Sequence, residues 1–216
     1  MTLKIENLTV RIPLAQGSQV HAATLINLKV AKGEVHALIG ESGCGKSTIS
    51  QAITGLLPAN ARVTGSVRYN GENILGFQSA YLGRHIALIP QSAATFMTPV
   101  RTLGVQLSET VEVLNGPLTP EELIAKVDLK PDVLKLYPHE ISGGMAQRAA
   151  IAFALAGAPD VIIADEPTAS LDPARKEGIF LLLRQIASQG AAVMLITHDI
   201  SMLLDTGIAD QLSVCY

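Results

Sequence analysis

Gly40-Glu41-Ser42-Gly43-Cys44-Gly45-Lys46-Ser47-Thr48 decides the fold. The stretch satisfies G-x-x-x-x-G-K-[ST], and it sits between a short apolar run, Val35-His36-Ala37-Leu38-Ile39, and a helical stretch expected from about Lys46 to Leu57, stopped by Pro58. Strand, glycine loop and helix form a phosphate-binding layout. The glycines let successive backbone N–H groups turn inward as an anion nest, and the helix contributes its positive end. Lys46 is placed to reach β- and γ-phosphates, and the Ser47 hydroxyl to meet Mg²⁺. Average composition produces such a match in roughly one chain of this length in 150. Nucleotide binding is therefore the first expectation.

Outward from this loop, buried strands alternate with helices. Ile86-Ala87-Leu88-Ile89, Val161-Ile162-Ile163-Ala164 and Ala192-Val193-Met194-Leu195-Ile196 are short and wholly apolar, and 174 to 189 reads as a helix. This pattern predicts an α/β fold with a mostly parallel sheet covered on both faces. Toward the N-terminus, Leu3, Ile5, Leu8, Val10 and Ile12, and then Leu25 to Val30, alternate in period two and predict an antiparallel β subdomain. From 92 to about 158 no strand pattern survives. Gly- and Pro-punctuated amphipathic segments there (105 to 114, 120 to 127, 144 to 156) predict an inserted helical subdomain. The 216 residues are read as one domain.

Composition removes several classes. Charged residues make up 16% of the chain, below the roughly 25% of an average soluble protein, while hydrophobic residues reach 48%. Global disorder is excluded, and low charge suggests surface hidden against partners. A net charge of -3 leaves no cation surplus for a nucleic-acid backbone, so no nucleic-acid partner is expected. The longest small or apolar run, Ala149 to Ala158, is too short to cross a bilayer. Two cysteines 171 positions apart suggest no disulfide framework and fit a reducing cytosol.

The second half supplies a metal ligand and a base. Asp165 and Glu166 follow an apolar strand, at the C-terminal edge where a parallel sheet presents its ligands. Asp165 is the candidate Mg²⁺ ligand, and Glu166 the candidate general base for an attacking water.

Ile141-Ser142-Gly143-Gly144-Met145-Ala146-Gln147-Arg148 resembles the signature of the ATP-binding cassette family, and Gln91, Ser170-Leu171-Asp172 and Thr197-His198-Asp199 follow in that family's order. The resemblance covers essentially the whole chain. It implies an ATPase whose two cassettes close head to tail, each ATP lying between the phosphate loop of one and the signature of the other. Ser142, Gly143 and Gly144 are then expected to face γ-phosphate across the dimer. Gln91 is expected to touch Mg²⁺ and water, Asp172 to bridge the subunits, and His198 to hold γ-phosphate and the attacking water. The implied cofactors are ATP and Mg²⁺. The implied partners are a second cassette, identical or not, transmembrane permease subunits at the cytoplasmic face of the membrane and, indirectly, an extracytoplasmic substrate-binding protein.

Leu136-Tyr137-Pro138-His139-Glu140, Met145 and the stretch from Gln91 to Pro99 are similar to the importer branch for peptides, nickel and metal chelates. Alternatives are a soluble non-transport cassette ATPase and a degenerate ATP-binding subunit of a heterodimer. Family members stack adenine on an aromatic residue before the second strand, whereas the first aromatic residue here is Tyr69. His21 is the only nearby ring for that role. Against the family pattern, the usual C-terminal strands and helices are expected to be absent after Leu212-Ser213-Val214-Cys215-Tyr216. Finally, Phe96, Met97, Pro99, Val100, Leu103 and Val105 are expected to form an apolar surface that docks a membrane subunit.

Overall fold

The computed structural model describes residues 2–14, 18–169 and 171–215. In the N-terminal sheet, β1 (Thr2–Pro13) pairs antiparallel with β2 (Gln19–Ala31) and with β4 (Arg62–Tyr69), which turns through Asn70-Gly71 into β5 (Glu72–Asn73). Leu3, Ile5, Leu8 and Val10 are all buried although the parity of their numbers changes after Ile5. The cause is a bulge: the register shifts between Ile5 and Leu8, and Asn7 takes a left-handed φ of 51°. The Asn27 side chain accepts from the Asn7 N–H at 3.0 Å and pins the irregularity. Without the extra residue, a one-position slip would turn Leu8 and Val10 to solvent.

The second sheet holds β3 (Val35–Gly40), β6 (Ile86–Ile89), β7 (Val161–Asp165), β8 (Ala192–Thr197) and β9 (Gln211–Cys215), in the order β6-β7-β8-β3-β9. All four pairings are parallel, as the uniformly apolar strands require. Alternate residues of one strand feed two cores. Val161 and Ile163 pack with α1 (Lys46–Thr54) and the antiparallel sheet, while Ile162 and Ala164 pack with the helices on the other face. α1 ends at Gly55, whose left-handed φ of 75° closes the helix before the expected stop at Pro58.

Between β6 and β7 lie α2 (Ala93–Phe96), α3 (Leu103–Leu114), α4 (Pro120–Lys126) and α5 (Gly143–Leu155), with 3-10 turns at Pro131–Lys135 and Pro138–Glu140. α6 (Pro173–Ser188) and α7 (Ile200–Thr206) complete the helices. Two side chains expected on a docking surface belong to the core instead: Met97 and Leu103 are buried with Leu107, Leu123 and Val127. Period-free apolar residues in a connection between helices look alike whether they face solvent or the core. Phe96, Val100 and Val105 remain exposed. No helix among the described residues is long and apolar enough to cross a membrane.

Candidate nucleotide site at the edge of the parallel sheet

Strand order assembles the site. Because β6, β7, β8 and β3 are consecutive neighbours, the segments leaving their C-terminal ends stand side by side: Gln91 after β6, Glu166 after β7, His198 after β8 and the glycine loop after β3. These residues, remote in sequence, line one depression of about 530 Å³ together with Ser42, Gly43, Gly45, Lys46, Ser47 and Thr48. A ligand crevice outside the carboxyl ends of parallel strands is what such a sheet provides.

The loop is shaped by close packing. Gly45, the N-cap of α1, has φ 100°, and a β-carbon there would lie 1.9 Å from the Ala22 carbonyl oxygen, so only glycine lets the loop rest on β2. The side chain of Lys46 is buried and turns back over the loop, donating to the carbonyl oxygens of Gly40 and Glu41, each at 2.8 Å. Its ammonium is thereby placed over the turn that also carries the loop's backbone N–H groups. Gly40 and Cys44 border a neighbouring depression together with Val214 and Cys215 of β9, and Cys44 Sγ lies 3.8 Å from Lys46 Nζ.

Asp165 ends β7 and Glu166 follows it, in different surroundings. Asp165 accepts from Ser47 Oγ at 3.1 Å and from Ser50 Oγ at 2.9 Å. Burial pushes its carboxyl above the ordinary range; the two serine hydroxyls oppose that shift and the adjacent Glu166 adds to it. A carboxylate that is desolvated yet keeps hydroxyl partners suits a hard cation, and Ser47, Asp165 and the Gln91 amide are the candidate oxygen donors for one. Glu166 adopts a left-handed φ of 48° at the strand end, and its side chain reaches the turn after β8. There Glu166 Oε2 lies 2.9 Å from His198 Nδ1. Glu166 is largely enclosed while the His198 side chain is 63% exposed, so the imidazole forms the outer wall and the carboxylate the inner one.

Other expected residues lie elsewhere. Ser142 caps α5, its hydroxyl accepting from Met145 N–H at 3.3 Å, and with Gly144, Arg148 and Arg175 it lines a separate depression of about 350 Å³. Gly143 follows as the first residue of that helix. Asp172 caps α6, accepting from Arg175 N–H at 3.2 Å, and pairs with the Arg175 guanidinium. Ser170 lies outside the described residues. His21 is on β2 and borders a third depression with Cys44 and the end of β9, its ring 3.3 Å from the Gln19 amide. The phosphate loop and the serine-glycine turn therefore do not meet within one chain.

Two partners were not foreseen. Ser50 stands one turn beyond Ser47 on α1, so both hydroxyls reach the same carboxylate; the i, i+3 spacing was the available signal. Asp199 caps α7 through Met202 N–H and pairs with Lys176 at 2.8 Å, which holds its carboxyl below the usual range. Its own N–H donates to Thr197 Oγ1, fixing the turn that carries His198.

The ABC transporter family pattern matches residues 24–169. The chain is similar to the oligopeptide transport ATP-binding protein OppD of Mycobacterium tuberculosis, at 37% identity over 214 residues, covering 93% of this chain and 35% of that protein. It is similar to the dipeptide transport ATP-binding protein DppD of Bacillus subtilis, at 36% identity over 229 residues, covering 99% of this chain and 68% of that protein. It thus spans about a third of the mycobacterial relative and about two thirds of the Bacillus one. Among solved structures, a dimeric bacterial ABC transporter cassette superposes with a TM-score of 0.81 at 26% identity, covering 99% of this chain and 94% of that one. A dimeric post-hydrolysis cassette bound to ADP and Pi gives 0.80 at the same identity. With residues 24–169 carrying the family pattern and the whole architecture superposing on solved cassettes, the chain belongs to the ABC transporter family as an ATP-binding cassette.

Proposed function

We propose that this cassette hydrolyses ATP to ADP and phosphate and powers an importer for peptides, by closing head to tail on a second cassette. The observation that carries the reading is the separation of two half-sites on one chain. The phosphate loop, Gln91, Glu166 and His198 line one depression, while Ser142 and Gly144 line another. Each half becomes complete only when a second cassette brings its serine-glycine turn to the first cassette's phosphates. Residues 1 to 216 then act as one nucleotide-binding domain, with a helical subdomain at about 92 to 158.

The backbone N–H groups of Ser42 to Thr48 and the Lys46 ammonium hold the phosphates. Ser47, Asp165 and Gln91 are the residues that would hold Mg²⁺, which when bound neutralises charge on the β- and γ-phosphate oxygens. Glu166 accepts a proton from the water that attacks γ-phosphorus, while His198 holds Glu166 in register at 2.9 Å and presents its outer nitrogen to the γ-phosphate. His21 borders the side on which the base would rest. Asp172, exposed at the start of α6, bridges to the partner. The names of the OppD and DppD relatives support a peptide substrate, and nickel or metal chelates are the second cargo class. The chain sits against permease subunits at the cytoplasmic face of the membrane, with exposed Phe96, Val100 and Val105 as the contact, and with a substrate-binding protein acting on the far side.

Sedimentation of the Glu166→Gln chain tests the closure. Addition of Mg-ATP is expected to convert monomer to dimer, and the Lys46→Ala chain is expected to stay monomeric. A mass that does not change with Mg-ATP contradicts head-to-tail closure.

A further inference from the structure

The two cysteines, 171 positions apart, meet in space. Cys215 ends β9, which pairs in register with β3 so that Cys215 lies opposite Gly40, the residue from which the phosphate loop departs. The Cys215 thiol donates to the Cys44 carbonyl oxygen at 2.8 Å, and the two residues line the same depression. A β-carbon on Gly40 would sit 2.7 Å from Cys44 Sγ and 2.3 Å from the Cys215 carbonyl oxygen, so a single point on the loop touches both residues. Both thiols are free; Cys44 is partly exposed and Cys215 buried.

We propose that Cys44 and Cys215 are a peroxide-sensitive dithiol whose intramolecular disulfide ties the phosphate loop to β9 and weakens nucleotide binding. The proposal rests on the nucleotide reading above for its consequence, though not for its chemistry. Cys44, the more accessible sulfur, attacks one oxygen of hydrogen peroxide; the O–O bond breaks, and a sulfenic acid and one water result. The Cys215 sulfur then attacks the Cys44 sulfur, the S–S bond forms, the S–O bond breaks, and the departing hydroxide leaves as water with the Cys215 proton. Two thiols are oxidised by two electrons and one peroxide is reduced to two waters. Burial pushes the Cys215 thiol up to about 11, which keeps it protonated and makes it the resolving sulfur rather than the first to react.

The consequence for the loop follows from bond lengths. A disulfide holds its sulfurs about 2.05 Å apart, so the bond ties the Cys44 side chain to β9 and the Cys215 hydrogen bond to the Cys44 carbonyl is lost. Gly43, at φ 90° and with open space around it, is the position that absorbs the rotation, while Gly45 stays held against Ala22. Turning the Gly43–Cys44 peptide breaks the hydrogen bond from the Cys44 N–H to the Glu41 carbonyl and so reshapes the turn that would cradle the phosphates.

The test uses the intact, reduced chain treated with hydrogen peroxide and then with iodoacetamide. A monomer that has lost two hydrogens, resists alkylation and yields a peptide joining 44 to 215 is expected, with ATP affinity by calorimetry about tenfold weaker, or ~1.4 kcal/mol. Dithiothreitol should restore it. The Cys215→Ser chain should bind ATP as wild type does when reduced and should form no cross-linked peptide. Independent alkylation or overoxidation of the two sulfurs overturns the pair, and a cross-link that leaves ATP affinity unchanged overturns the regulation. Failure of the reduced wild-type chain to bind ATP contradicts the nucleotide reading instead, and the peptide map scores the pair separately.

Discussion

Replacing Glu166 by Gln is expected to lower ATP turnover by about 10² to 10⁴-fold, the usual contribution of a general base, while leaving Mg-ATP binding close to wild type. The substitution keeps volume and removes only the ability to take a proton. Glu166 lies in the same depression as the phosphate loop, its side chain is largely enclosed, and it contacts His198 at 2.9 Å. A glutamine can retain a hydrogen bond to that imidazole, so the architecture should survive and melting temperature should change little. Phosphate release measured beside calorimetric ATP binding separates the chemical step from affinity. Turnover above about a tenth of wild type would assign the base elsewhere, since a general base contributes at least about 10²-fold.

Lys46→Ala acts on binding rather than chemistry. Its ammonium donates to the Gly40 and Glu41 carbonyls and lies over the loop, where its charge also acts on Asp165. With phosphate bound, the same donors turn to anionic oxygens. Losing two hydrogen bonds to charged groups costs ~3 kcal/mol or more, which is at least about 100-fold in affinity. The loop is also held by Gly45 packed on Ala22, so circular dichroism and melting should stay near wild type. ATP affinity within about tenfold of wild type, a difference of ~1.4 kcal/mol, would show that the nest binds phosphate without this ammonium.

The sequence made the site legible through local chemistry plus strand order. A loop after one apolar strand, acids after a second and a histidine after a third needed only a parallel sheet to converge, and apolar strands without alternation demanded that sheet. Positions that depend on tertiary neighbours were not legible. Ser50 looks like an ordinary helical serine until Asp165 arrives 115 residues later. Met97 looks like surface in an apolar connection and is core, because α3, α4 and α5 close over it. The pair Cys44 and Cys215 is invisible without the pairing of β9 on β3, which is a long-range parallel contact with no local pattern of its own. The bulge at Asn7 is an intermediate case: the parity change from Ile5 to Leu8 was present in the sequence, but only the register shows that both pairs face one core.

Each working site should combine the phosphate loop of one cassette with the serine-glycine turn of another, and mixing two inactive chains tests that pairing. Lys46→Ala disables the loop, and Gly144→Asp places a charge on the turn that lines the other depression. In a two-fold symmetric dimer of one chain of each kind, one site carries both lesions and the other carries none. Each variant alone should be inactive. Random pairing of an equimolar mixture restores at most about a quarter of wild-type sites, because half the dimers are mixed and each holds one intact site of two. ATP hydrolysis in the mixture is expected to recover up to that level. A mixture as inactive as its components, although sedimentation shows that mixed dimers form, would contradict it.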